Sequence, residues 1–194
     1  MSKPNITWSY DPATVPAELL PMLRSLKEFF NITEVAGGEY TLAFERIAGE
    51  GMISDVSFPT EKSALIKYNT VTTAARGIGS AMAGLAGRQS TSFTMMGIML
   101  DVSRNMVFKL SAVQRLFRRL ALLGFNTVLL YSEDTYELPD EPSFGMMRGR
   151  YSAEEIRAID DMGAALGIEV MGCIQTLGHM GQVLRWVNAY NKVK

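Results

Sequence analysis

A chain of 194 residues with a formal net charge of -1 and 47% hydrophobic residues is long enough for one ordinary domain, or for a small domain with part of a larger one. Its near-neutral balance excludes the concentrated basic face that a nucleic-acid partner requires, and no stretch approaches the roughly 18 apolar residues needed to span a bilayer. One histidine and one cysteine cannot supply the ligand set of a zinc site, so no metal or other cofactor is expected.

The N-terminus, MSKPNITWSYDP, has no apolar core of signal-peptide length. A first helix is predicted over about Ala17 to Phe30, with Leu19, Leu20, Leu23, Leu26, Phe29 and Phe30 at helical spacing, Pro16 at its start and Asn31 at its stop. Tyr40, Leu42 and Phe44 alternate with Thr41, Ala43 and Glu45, the pattern of a half-buried strand. Two more strands are expected near Ile53 to Phe58 and Ala64 to Tyr68. The segment from Thr72 to Ala86, rich in Ala, Gly and Met, suits a helix packed tightly against a sheet. Its run Gly77-Ile78-Gly79-Ser80-Ala81-Met82-Ala83-Gly84 misses the dinucleotide fingerprint, which wants glycine where Met82 stands. Close helix packing is the better reading, and a nucleotide-binding doubly wound domain is the lesser one. Residues 1–92 together fit a small α+β domain.

From about Phe93 the pattern becomes regular. Met95 to Leu100 is a short apolar run, followed by an amphipathic helix from about Ser111 to Leu123 that Gly124 ends. Arg115, Arg118 and Arg119 are expected to be the solvated face of that helix. Phe125 to Tyr131 is a second apolar run. Ser152-Ala153-Glu154-Glu155 opens another helix with a capping box, about Ala153 to Leu166, and Gly167 stops it. Ile168 to Ile174 is a third apolar run, in which Cys173 reads as a small buried hydrophobe. As the lone cysteine it can form no intramolecular disulfide, which is compatible with a reducing cytosol, and a soluble cytoplasmic protein is expected.

Continuous apolar strands alternating with helices mean a parallel sheet covered by helices, either doubly wound or the start of a (β/α)8 barrel. A complete barrel takes about 250 residues. Residues 93–194 have room for three βα units only. In such folds functional groups gather at the carboxyl ends of the strands. Asp101 and Arg104 follow the first strand, Glu133 and Asp134 the second, Gln175 and His179 the third. Glu133 and Asp134 are neighbours in extended chain, so they point to opposite faces and cannot both flank one bond. Spacing alone does not choose between them. His179 carries any histidine-dependent role, against the plainer reading of a hydrogen-bonded loop residue.

GIMLDVSRN (97–105), NTVLLYSEDTYELPDEPSFGMMRGRYSAEEI (126–156) and GIEVMGCIQTLGHMGQVLRW (167–186) occur in that order. They resemble the first three βα units of glycoside hydrolase family 20 β-N-acetylhexosaminidases, most closely the cytoplasmic bacterial branch. The layout of residues 1–92 is similar to the small α+β domain that precedes the barrel in that family. The resemblance implies an α/β chain: a small N-terminal α+β domain (1–92), then the first three βα units of an incomplete TIM barrel (93–194).

It further implies an exo-acting hydrolase that removes terminal β-linked GlcNAc or GalNAc from glycans. Arg104 matches the arginine that grips the hydroxyls of the terminal sugar, where the fixed fork of a guanidinium suits the task. Asp134 and His179 match a hydrogen-bonded pair that orients the general acid, and Asp101 and Glu133 match supporting, substrate-side positions. The family's catalytic pair is an adjacent Asp-Glu after the fourth strand. There the Glu protonates the leaving oxygen and the Asp orients the substrate's 2-acetamido group, which itself attacks the anomeric carbon. These residues end before a fourth strand, so the chain is expected to be an N-terminal fragment, inactive alone. Val187 departs from the family, where Pro usually follows Arg-Trp. A non-catalytic carbohydrate-binding or assembly module is the alternative, with self-association through the open barrel edge.

Overall fold

The computed structural model describes residues 6–175 and Gly178. Nine strands and four helices follow in the order β1 (Trp8–Tyr10), α1 (Leu20–Lys27), β2 (Ile32–Glu34), β3 (Tyr40–Arg46), β4 (Met52–Thr60), β5 (Ser63–Tyr68), α2 (Val71–Met82), β6 (Gly87–Thr91), β7 (Gly97–Asp101), α3 (Leu110–Leu123), β8 (Thr127–Ser132), α4 (Ala153–Ala165) and β9 (Glu169–Ile174) among the described residues. The strands form two sheets. The first runs β2-β1-β3-β5-β4-β6, with β4 antiparallel to both its neighbours and the other pairs parallel. The second is the parallel sheet β7-β8-β9. The chain is thus mixed α/β, as its patterning predicts.

Local chemistry accounts for most boundaries. The first helix is shorter than its apolar spacing suggests, because Pro21 has no N–H to donate back to Ala17. Ala17–Leu19 is a 3-10 turn instead, and α1 proper starts at Leu20 and ends at Lys27. Helix α2 ends at Met82, before the expected Ala86, where Gly84 turns left-handed at φ +71°. Both predicted features of the next two helices are present. Gly124 takes φ +89° after α3, and its N–H and that of Phe125 reach back to the Ala121 and Leu120 carbonyls. Ser152 accepts from the Glu155 N–H while the Glu155 carboxylate accepts from the Ser152 N–H, closing the box that opens α4.

The core is one continuous cluster that spans both sheets. Helix α2 sits at its centre. A Cβ on Gly77 would fall 2.3 Å from a methyl of Ile66 on β5, and one on Gly79 would fall 2.4 Å from the Leu122 carbonyl of α3. The glycine run therefore serves close packing between a sheet and a neighbouring helix. On the other side, Val113, Phe117, Leu120 and Ala121 of α3 pack with Ile159 and Leu166 against Val128 and Leu130 of β8. The even-numbered residues of β8 face the helices, which leaves Tyr131 and Leu129 on the opposite face.

Two expectations need correcting. Arg118 is not solvated: it is 4% exposed, and its Nε donates to Ser25 Oγ at 3.2 Å while its terminal nitrogen meets the Glu28 carboxylate, both on or beside α1. Arg119 lies over the ring of Phe29, 5.6 Å from its centroid. The reason is that α1 lies against this flank of α3. Cys173 is only half-buried, because it sits on the sheet face turned away from the helices, in register with Tyr131.

Candidate functional site

Parallel pairing brings the carboxyl ends of β7, β8 and β9 to one edge. Asp101 is opposite Tyr131, and Tyr131 is opposite Cys173. Just beyond, the chain makes a tight turn fixed by Asp101. Its Oδ1 accepts from the Ser103 N–H (2.9 Å), the Ser103 hydroxyl (2.9 Å) and the Arg104 N–H (3.2 Å). Its Oδ2 lies 3.1 Å from Arg104 Nε. Burial pushes the Asp101 carboxyl up, but these hydrogen bonds and the Arg104 charge outweigh it and hold the pKa below its ordinary value.

Arg104 is therefore oriented from two sides. Asp101 fixes its Nε, and the guanidinium carbon lies 4.8 Å from the centroid of the Tyr131 ring. The side chain is still 58% exposed, so part of the guanidinium is open to solvent. A planar fork presented this way suits a neutral polyhydroxylated ligand or a carboxylate. The Tyr131 hydroxyl in turn lies 3.5 Å from the Glu133 carboxylate.

Asp134 is held differently. Its side chain is 17% exposed, and Oδ1 lies 3.4 Å from a terminal nitrogen of Arg148 without hydrogen-bond alignment. The same Arg148 nitrogen donates to the Ser103 carbonyl. Asp101, Arg104, Glu133 and Asp134 are thus gathered at one end of the sheet, as their positions after the strands suggest. Gln175, just past β9, is half-buried, and its Oε1 has no hydrogen-bond partner among the described residues. His179 lies outside the described residues. The one adjacent Asp-Glu in the sequence, Asp140–Glu141, is exposed in the loop after β8. No group of three or more His, Cys, Asp or Glu side chains suited to a metal occurs among the described residues, and no described helix is long and apolar enough to cross a membrane.

Sequence reasoning missed Tyr131, Ser103 and Arg148. The signal for Tyr131 was present, since it is the last aromatic of an apolar run whose alternation aims it at Asp101. Arg148 gave none, because it sits in an irregular loop.

No family model and no curated protein sequence matches the chain. Solved structures do. A GH20 exo-β-N-acetylglucosaminidase from Vibrio harveyi, in complex with N-acetylglucosamine, superposes with a TM-score of 0.64 at 18% identity, over 92% of this chain and 34% of that one. The GH20 β-N-acetylhexosaminidase of Streptomyces coelicolor A3(2) gives 0.65 at 18% identity, over 92% and 43%. A β-N-acetylhexosaminidase from Bacteroides fragilis NCTC 9343 gives 0.61 at 18% identity, over 96% and 42%. The fold is that of part of a GH20 hexosaminidase. The chain spans less than half the length of each of these proteins, and at such identities the likeness is one of fold. It covers the mixed sheet as well as the three parallel strands, so the β7-β8-β9 sheet corresponds to a part of a barrel.

Proposed function

We propose that this chain is the N-terminal part of a retaining exo-β-N-acetylhexosaminidase of glycoside hydrolase family 20, acting on terminal β-linked GlcNAc or GalNAc. The observation that carries the reading is the Asp101–Arg104 turn, stacked on Tyr131 and set beside Asp134 at the carboxyl ends of parallel strands. On this reading Arg104 binds the hydroxyls of the terminal sugar, with Asp101 and Tyr131 fixing the plane of its guanidinium. Glu133 supports the same pocket through Tyr131. Asp134 pairs with His179 to orient a general acid supplied by a later Asp-Glu pair. That pair would complete a substrate-assisted reaction in which the 2-acetamido oxygen attacks the anomeric carbon. The 194 residues alone then bind sugar weakly and hydrolyse nothing, and the setting is cytoplasmic.

The test compares this chain with the full-length polypeptide made by its source, using p-nitrophenyl β-GlcNAc and p-nitrophenyl β-glucoside. Release of p-nitrophenol by the full-length polypeptide from the first substrate alone is expected. Equal rates on both would contradict a role for the acetamido group. Hydrolysis by the chain alone would contradict the proposal that the catalytic pair lies elsewhere.

A second reading, an assembly module, has one observation in its favour. The outer edges of β7 and β9 carry no strand partner among the described residues, and Met99 on β7 is 57% exposed. Sedimentation as a concentration-independent monomer would argue against it.

A further inference from the structure

We propose that Arg148 is a positioning residue, which locks the sugar-binding turn after β7 to the aspartate after β8. This rests on the hexosaminidase reading above and adds to it a residue that the strand ends do not supply. The Arg148 guanidinium makes two contacts on two different elements. One nitrogen donates to the carbonyl of Ser103 and stands 3.4 Å from Asp134 Oδ1. Ser103, 4% exposed, donates twice to Asp101, which aligns Arg104. A continuous chain of polar contacts therefore runs Asp134, Arg148, Ser103, Asp101, Arg104. It joins the residue assigned to acid orientation with the residue assigned to sugar binding.

The loop that delivers Arg148 is built at some cost. Met147, the residue before it, holds φ +69° although it is not glycine, and its side chain is 94% exposed. Such a conformation costs of order 1–3 kcal/mol and persists only where the surroundings over-determine it. Here they do. Arg150 donates to the Pro142 and Phe144 carbonyls at 3.1 and 2.6 Å, and Tyr136 packs edge-on against Phe144 with centroids 5.1 Å apart. Tyr151 exchanges backbone hydrogen bonds with Thr135 and Glu137, and its hydroxyl donates to the Phe108 carbonyl at 2.7 Å. The methionine gains no packing from its exposed pose. What the turn achieves is the inward aim of the next side chain.

Both contacts fall on one terminal nitrogen, so the cation meets the Ser103 carbonyl and the Asp134 carboxylate at a single point. Lysine keeps the charge but lacks the planar guanidinium that holds that nitrogen in place. The test uses Arg148→Gln, Arg148→Lys and, as a control, Arg157→Gln in the full-length polypeptide, with p-nitrophenyl β-GlcNAc as the probe. Arg148→Gln is expected to raise KM about 10-fold and lower kcat about 10-fold, since a misplacement of about 1 Å costs on the order of 100-fold overall. Arg148→Lys, which keeps the charge, should recover part of both losses. Arg157→Gln, at a side chain 70% exposed and paired with Glu154 on the same helix, should leave both within about two-fold. A kcat/KM for Arg148→Gln within two-fold of the parent overturns the proposal. So does a loss that Arg157→Gln reproduces.

Backbone amide shifts of this chain give a readout that needs no activity. Arg148→Gln should move Ser103, Arg104 and Asp134 together, and shifts confined to 137–151 would overturn the proposal. If the parent polypeptide shows no hexosaminidase activity while those three amides still move together, the hexosaminidase reading fails and the coupling by Arg148 stands.

Discussion

Arg118 of α3, itself buried, forms an ion pair with the exposed Glu28, 90 residues earlier at the end of α1. The pair is lopsided: the arginine side chain is 4% exposed and the glutamate 60%. Removing Glu28 would strand a buried charge, whereas removing Arg118 returns a carboxylate to water. We expect Glu28→Ala to destabilise by about 1–2 kcal/mol and Arg118→Met by less than about 1 kcal/mol. Urea unfolding midpoints at constant slope measure both, and equal losses would mean that Arg118 is not buried as described.

The capping box of α4 has its own signature. Ser152→Ala deletes the acceptor for the Glu155 N–H and should cost about 1 kcal/mol, whereas Ser152→Asp should cost a few tenths at most. The same unfolding assay separates these two variants. A loss of the same size in both would show that the box does not hold this end.

Gly145 lies at φ +63°, and a Cβ there would fall 1.7 Å from the Asp134 carbonyl. Alanine cannot be accommodated without moving the strand end or the loop. Gly145→Ala should cost about 2 kcal/mol, a fall in Tm of roughly 4–8 °C for a chain of this size. It should also weaken sugar binding, because Asp134 moves. A variant as stable as the parent would contradict the close approach.

Asp101 fixes a pH dependence. Its folded pKa is held below the ordinary value, so its contribution to the turn is complete above the unfolded pKa of about 3.9 and is lost as pH falls through the lower folded value. Arg104 should therefore stay aligned from neutral pH down to about 4. Carboxylate ¹³C titration of Asp101 measures this directly. A midpoint at or above 3.9 would show that burial, which pushes the pKa up, outweighs the hydrogen bonds.

The elements that were legible in the sequence are those whose side chains do the folding. The three parallel strands are continuous apolar runs, and α3 and α4 carry an apolar stripe with a glycine stop or a capping box. Strands β1 and β2 have three residues each, too short for a period to show. Strand β6, Gly-Arg-Gln-Ser-Thr, has no apolar residue and is fixed by backbone pairing to β4 at an open edge. Arg118 looked like one of three surface cations because a helix's own spacing cannot say which flank meets another helix. In the site, strand ends and motif order pointed to Asp101, Arg104, Glu133 and Asp134. The contacts of Arg148 depend on the path of an irregular loop, which no periodicity encodes.

The most direct test measures hydrolysis of p-nitrophenyl β-GlcNAc by the full-length native polypeptide and by its Arg104→Ala variant. Hydrolysis by the parent, with kcat/KM about 100-fold lower in the variant and its unfolding midpoint unchanged, is the expected result. No hydrolysis by the parent, or equal hydrolysis by the two, would contradict the assignment of this strand end to sugar binding in a hexosaminidase.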